Sequence, residues 1–261
     1  MTETRRTETP SAATPSAETP SAATPATGPT GQTLPTGPTG PTAPTAAIIL
    51  AGGRASRLDG TAKPLLEVGG RTLLDRAVAA ARGCDPIVVV GPPAPTRVHV
   101  VWTRESPEFG GPVAGIAAGL ALIDTADVLL LAADLPDAEG AVALFHRHPP
   151  LVVVVDGDDA ADGAHGGHDD DTPDGVCLID ASGRMQWLVG RYRADSLRSA
   201  AAALPEGGRD ASLRSLLAPL RIGVIPAGDL ATDVDTWDDL ARARAAAPMP
   251  RRDGAPDEET T

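Results

Sequence analysis

Three short stretches of this chain carry residues that can do chemistry together. The first is LAGGRASRLDGTAKPLL, residues 50–66. Gly52 and Gly53 let the backbone turn sharply and come close to a ligand. Free amides in such a turn cradle phosphate oxygens. Arg54, Arg57 and Lys63 add positive charge to the same loop. Neither G-x-G-x-x-G nor G-x-x-x-x-G-K-[ST] is present, which sets aside the familiar dinucleotide and P-loop arrangements. Lys63 stands out by its rarity. Of the 22 basic residues 21 are Arg, and Asn is absent altogether. Where Arg is favoured everywhere else, the one remaining lysine marks a position that needs a compact ammonium. The competing reading is an ordinary glycine turn with surface arginines.

The second stretch is AADLPD, which ends in Asp134, Leu135, Pro136 and Asp137. A carboxylate at Asp134 either holds Mg²⁺, which takes one or two carboxylates plus substrate phosphates, or caps a turn before Pro136. The third is DVDTWDDL, residues 233–240. Thr236 and Asp239 form a capping box, and Asp238 and Asp239 suit a helix N-terminus. Helix capping leaves Asp233 and Asp235 unexplained. Alternation along an extended segment puts both on one side.

The pattern around these stretches predicts what positions them. AIIL (47–50), PIVVVG (86–91), VHVVW (98–102), DVLLLAAD (127–134), LVVVV (151–155), GVCLID (175–180), QWLVG (186–190) and RIGVIP (221–226) read as strands. Leu73, Leu74, Ala77, Val78 and Ala81 recur at helical spacing, as do Val113, Ile116, Ala117 and Leu120 behind Pro112. Further helices are expected over 137–148, 194–204, 211–219 and from Thr236 to about Ala247. Nearly continuous apolar runs belong to strands buried on both faces. Strands alternating with helices give one α/β domain with a largely parallel sheet, and such sheets hold ligands beyond the carboxyl ends of their strands.

Composition limits the alternatives. Residues 1–45 are a drifting Thr, Pro, Ser, Ala and Gly repeat with little to bury, and a disordered tail is expected. Residues 248–261 are expected to form a second one. The net charge of −13 is local, because residues 156–174 alone hold eight Asp and no basic residue. His165 and His168 lie in that stretch, but it reads as a flexible acidic loop, not a metal site. The rest is nearly neutral and offers no basic surface for nucleic acid. No apolar stretch approaches the ~18 residues of a membrane span. Cys84 and Cys177 form no C-x-x-C pattern. A cytoplasmic setting, away from nucleic acid and membrane, is the expectation.

The order LAGG-x3-R-x5-K-x-L-L, GGPVAGIAAGL, AADLPD and DVDTWDDL resembles the MobA-like nucleotidyltransferases, and among them the molybdenum cofactor guanylyltransferases. The resemblance covers about residues 46–247. It implies a single Rossmann-like domain of the nucleotidyltransferase type, with a mostly parallel central sheet flanked by helices. It also implies transfer of GMP from GTP to molybdopterin, with release of pyrophosphate. By the same likeness Leu50, Ala51, Gly52 and Gly53 match the nucleotide-binding loop, Lys63 the lysine on the phosphates and Arg57 the loop arginine beside it. Asp134 matches the Mg²⁺-binding aspartate, and Asp235 lies in the late motif that faces the metal. Arg57, Lys63 and Asp134 are thus the expected catalytic residues, and Asp134 and Asp235 the expected metal ligands. GTP, Mo-bound molybdopterin and apo-molybdoenzymes or their chaperones are the implied partners.

Three positions depart from the family pattern. Asp233 and Asp235 replace an N-x-N. Gly91 stands where a base-proximal asparagine occurs. Glu105 matches a site-lining aspartate before the GP segment. A cytidylyltransferase, a sugar-phosphate nucleotidyltransferase and a silent nucleotide-binding regulator are the rival functions. Retention of Lys63 and Asp134 together argues against silence.

Overall fold

The computed structural model describes residues 44–52, 62–147 and 172–247. Several expectations fall outside these ranges: Gly53, Arg54 and Arg57, the strand at 151–155, most of the acidic stretch, and nearly all of both tails. In chain order the described elements are β1 (Thr45–Leu50), β2 (Glu67–Val68), β3 (Arg71–Thr72), α1 (Leu73–Ala80), β4 (Ile87–Val90), β5 (Val101–Thr103), α2 (Gly111–Leu120), β6 (Asp127–Ala132), α3 (Ala138–Arg147), β7 (Gly175–Asp180), β8 (Met185–Arg193), α4 (Ala194–Ala202), α5 (Leu213–Leu217), β9 (Ile222–Gly228) and α6 (Trp237–Ala246).

Seven strands make one sheet in the order β5-β4-β1-β6-β8-β7-β9. Only β8 runs against its neighbours, pairing antiparallel with β6 and β7. The apolar runs are continuous because both faces are covered. On one face Ala47 and Ile49 pack with Leu74, Ala77 and Val78 of α1 and Ala138 and Ala141 of α3. On the other Ile48, Val88 and Leu130 pack with Val113 and Ile116 of α2 and Leu197 of α4. Several elements are shorter than the sequence predicts; β4 and β6, for example, end at Val90 and Ala132. Residues 98–100 stay out of β5, the fourth helix ends at Ala202, and α5 is a turn and a half. Val100, Leu204 and Ala211 still pack on the core although they lie outside these elements. No described helix is long and apolar enough to cross a membrane.

A small third cluster places the late motif. Leu66, Val68 and Leu73 pack with Val234 and Leu240, which brings the segment before α6 against the β2–β3 hairpin. Arg76 braces the same region. Its guanidinium donates to the Val68 carbonyl through Nη2 at 2.7 Å and through Nε at 3.2 Å, and to the Pro136 carbonyl through Nη1 at 3.0 Å.

Candidate active site

The carboxyl ends of β5, β4, β1 and β6 are linked by a row of backbone hydrogen bonds that continues past the strands. Gly91 N donates to Thr103 O at 2.9 Å, Ala51 N to Val90 O at 2.9 Å, and Ala133 N to Leu50 O at 3.0 Å. Val234 N extends the row by donating to Asp134 O at 3.1 Å. The start of the glycine loop is therefore pinned from both sides. A cleft of about 300 Å³ opens above this row. Leu50, Ala51 and Gly52 form its floor, and Ala133 and Asp134 lie at one side. Lys63 and Pro64 reach it from the short 3₁₀ turn Lys63–Leu65.

Lys63 Nζ sits 2.6 Å from Asp235 Oδ1. The three residues expected to share the site, Lys63, Asp134 and Asp235, are thus brought together. Asp233 joins them: Val234 is buried between half-buried Asp233 and Asp235, the alternation expected of an extended segment. Arg57 and Gly53 lie outside the described residues.

Asp134 is not a helix cap. Asp137 takes that part, with its Oδ1 accepting from Gly140 N at 3.0 Å. Asp134 Oδ1 is buried and accepts no hydrogen bond among the described residues. Burial raises the Asp134 carboxyl to about 6, and the nearby Asp233 adds to the rise. Lys63 opposes it, and Asp235 contributes a smaller push upward. A buried carboxylate oxygen with no donor, in a field of other carboxylates, suits a hard divalent cation. No group of three or more metal-ligating side chains converges among the described residues. Mg²⁺ needs no such cage, since it retains waters and shares substrate phosphate oxygens. The donor set of Asp134 and Asp235 fits it.

The late motif is fixed by its own capping box. Thr236 Oγ1 accepts from Asp239 N at 3.2 Å, and Asp239 Oδ2 accepts from Thr236 N at 2.7 Å and from Asp235 N at 3.0 Å. The Thr236 hydroxyl, with these amides, holds the Asp239 carboxyl below its ordinary range.

Two departures from the family pattern acquire physical reasons. A Cβ on Gly91 would lie 2.9 Å from the carbonyl carbon of Ala51 and 3.0 Å from its oxygen, so an asparagine has no room there. Glu105 serves the turn ahead of α2 and is not among the residues lining the cleft; its Oε1 accepts from Phe109 N at 3.0 Å. The far wall of the cleft consists of Pro92, Arg104 and Phe109, none of which stood out in the sequence. Arg104 follows β5 directly, so the rule that ligands sit at carboxyl ends of strands would single it out once the strand order is known.

Comparison with known proteins gives a consistent picture. Residues 47–223 match the MobA-like NTP transferase domain. A probable molybdenum cofactor guanylyltransferase from Trichormus variabilis is 45 % identical over 95 residues, covering 34 % of this chain and 45 % of the relative. A molybdenum cofactor guanylyltransferase from Rhodopseudomonas palustris is 39 % identical over 98 residues, covering 36 % of this chain and 43 % of the relative. The chain thus spans less than half the length of either. Among solved structures, a homologue of Mycobacterium tuberculosis Rv0371c from Mycobacterium sp. strain JC1 superposes with a TM-score of 0.53 at 22 % identity, covering 77 % of this chain and 95 % of that one. A nucleotidyl transferase from Methanothermobacter gives 0.51 at 18 % identity, covering 77 % and 96 %. These structural likenesses are likenesses of fold.

Proposed function

Because the chain belongs to the MobA-like NTP transferase family, we propose that it is a guanylyltransferase that moves GMP from GTP to the terminal phosphate of molybdopterin. The observation that carries this reading is the meeting of Lys63, Asp134 and Asp235 above a glycine loop at the strand ends. The names of the sequence relatives support the choice of base and acceptor.

In this reading an oxygen of the acceptor phosphate forms a bond to the α-phosphorus as the bond to the pyrophosphate oxygen breaks. The attacking oxygen is already ionised, so no residue need act as a general base. The protein's contribution is position and charge. Lys63 exchanges Asp235 for the triphosphate and offsets the charge that grows on the leaving pyrophosphate. Leu50, Ala51 and Gly52 bring backbone close to the phosphates. Asp134 and Asp235 would hold Mg²⁺, which when bound supplies electrostatic stabilisation at the phosphate oxygens. Arg57, from the resemblance, belongs to the same loop.

Pyrophosphate release measured against GTP, CTP and ATP, with and without molybdopterin and Mg²⁺, tests the reading. The expected result is release from GTP that requires both. Faster release from CTP overturns the guanylyl assignment. Release driven by a hexose phosphate in place of molybdopterin overturns the acceptor. Nucleotide binding without any release makes the chain a nucleotide-binding regulator.

A further inference from the structure

Lys63, Asp134 and Asp235 stand on three segments far apart in the chain, and the bond between Lys63 and Asp235 is a weak tether. It is partly exposed, and such ion pairs do little to hold segments in place. In the proposed reaction Lys63 also leaves Asp235 for the triphosphate. A contact other than this pair has to keep the three segments in register, and Val234 is placed to provide it.

Val234 is fully buried, whereas Asp233 and Asp235 on either side of it are half-buried. It is tied to each of the other two segments. Its amide donates to Asp134 O at 3.1 Å, which joins the late motif to the segment that follows β6. Its side chain packs in the cluster of Leu66, Val68, Leu73 and Leu240. Leu66 closes the 3₁₀ turn that carries Lys63: its amide donates to Lys63 O at 3.0 Å, and its carbonyl accepts from Leu73 N at 2.9 Å. The lysine turn and the late motif are therefore locked into one cluster. Helix α6 closes that cluster from the other side, through Leu240 and through Arg244 Nε, which donates to Glu67 O at 2.9 Å.

This cluster is separate from the two that cover the faces of the sheet, and none of its buried members belongs to a strand of the seven-stranded sheet. Its burial holds the segments of the site together and does little for the sheet. We propose that Val234 is a positioning residue for the transfer: its side chain in the small cluster and its amide on Asp134 fix where Asp235 stands relative to Lys63 and Asp134. A smaller side chain at 234 leaves a void, around which the surroundings relax only in part. The two flanking carboxylates share that backbone and move with it. A hard divalent cation tolerates such shifts poorly, since Mg²⁺ demands near-ideal octahedral geometry. The consequence for metal binding rests on the reading that Asp134 and Asp235 share a cation, whereas the consequence for the Lys63–Asp235 pair rests on the geometry alone.

The test uses the full chain and compares Val234→Ala with Val224→Ala, which removes the same atoms from the buried side of β9. Lys63 is the only lysine, so acylation by an N-hydroxysuccinimide ester, read on its peptide by mass spectrometry, reports its pairing with Asp235. Val234→Ala is expected to label several-fold faster than wild type, approaching Asp235→Asn, and Val224→Ala to label as wild type does. Mn²⁺ affinity, read by electron paramagnetic resonance without nucleotide, is expected to fall at least about tenfold in Val234→Ala and to stay unchanged in Val224→Ala even where that variant melts earlier. Wild-type labelling of Lys63 in Val234→Ala overturns the inference. Equal acceleration in Val224→Ala also overturns it, because the effect is then one of general destabilisation. Unchanged Mn²⁺ affinity in Val234→Ala, where Asp134→Asn abolishes binding, does the same. Mn²⁺ binding that survives Asp134→Asn overturns the shared-cation reading instead, and the labelling comparison still decides Val234.

Discussion

Lys63 Nζ and Asp235 Oδ1 lie 2.6 Å apart although 172 residues separate them in the chain. The pair is partly exposed, with 18 % of the Lys63 side chain and 42 % of the Asp235 side chain accessible, so its worth to stability is at most about 1 kcal/mol. Its importance is positional. It sets the chain's one lysine between the glycine loop and the late acidic motif, poised to exchange a carboxylate for phosphate.

Lys63→Arg keeps the charge and is nevertheless expected to cut turnover at least about tenfold, or about 1.4 kcal/mol of transition-state stabilisation. A guanidinium needs a forked space, and a compact ammonium does not. Lys63 opens a 3₁₀ turn that includes Pro64, whose fixed φ limits readjustment. Steady-state kinetics with GTP check this, with thermal melting as the control for folding. Wild-type kinetics would remove Lys63 from the mechanism.

Asp134→Asn is expected to fold, to lose most Mg²⁺-dependent turnover, and to melt later than wild type at pH 7.5 in EDTA. The sign follows from linkage. The folded carboxyl titrates at about 6 against the ordinary 3.8, so the folded state holds the proton more tightly. Wild-type stability therefore falls as pH rises from about 4 through 6, by roughly 2–3 kcal/mol, and the amide escapes that loss. Melting of both proteins across this window measures it. A constant gap between them at all pH values would show that Asp134 does not carry the titration.

Arg76→Met retains the aliphatic stem and loses the three donated bonds to Val68 O and Pro136 O. The expected destabilisation is about 2 kcal/mol, read by urea denaturation. Release of Pro136 also frees the loop that carries Asp134, so kcat should fall while the GTP KM changes little. Arg76→Lys should restore part of both. A stability loss with unchanged kcat would confine Arg76 to the scaffold.

Gly91→Asn restores the residue type that the family pattern places there. It is expected to harm the protein, because the new Cβ meets the Ala51 carbonyl at 2.9 Å. A cost of about 1–3 kcal/mol and weaker GTP binding should appear together, since Ala51 is part of the nucleotide loop. A variant with unchanged stability and sharper base selection would show that this tip accepts a base-reading side chain after all.

Much of the architecture was legible before any coordinates. The apolar runs at 47–50, 86–91 and 127–134 each hold a strand, the Pro112 helix begins where its proline predicts, and Thr236 with Asp239 builds the capping box. Local rules suffice there, because burial on both faces and the unpaired amides of a helix end leave their mark within a few residues. Strand ends were less legible. Val98 to Val100 continue the β pattern but find no partner strand, and pairing lies outside the local sequence.

The site divides along the same line. Residue type and spacing by themselves marked Lys63, Asp134 and Asp235 as candidates, because a lone lysine, a carboxylate closing an apolar strand and acids ahead of a helix cap are each anomalous where they stand. Only the tertiary structure decided that one oxygen of Asp134 is buried with no donor among the described residues and that Asp134 is no cap, that Asp235 reaches Lys63, and that position 91 is closed to any side chain. The reason is that these are distances between segments far apart in the chain. The order β5-β4-β1-β6 brings those segments into one row, and no local pattern encodes that order.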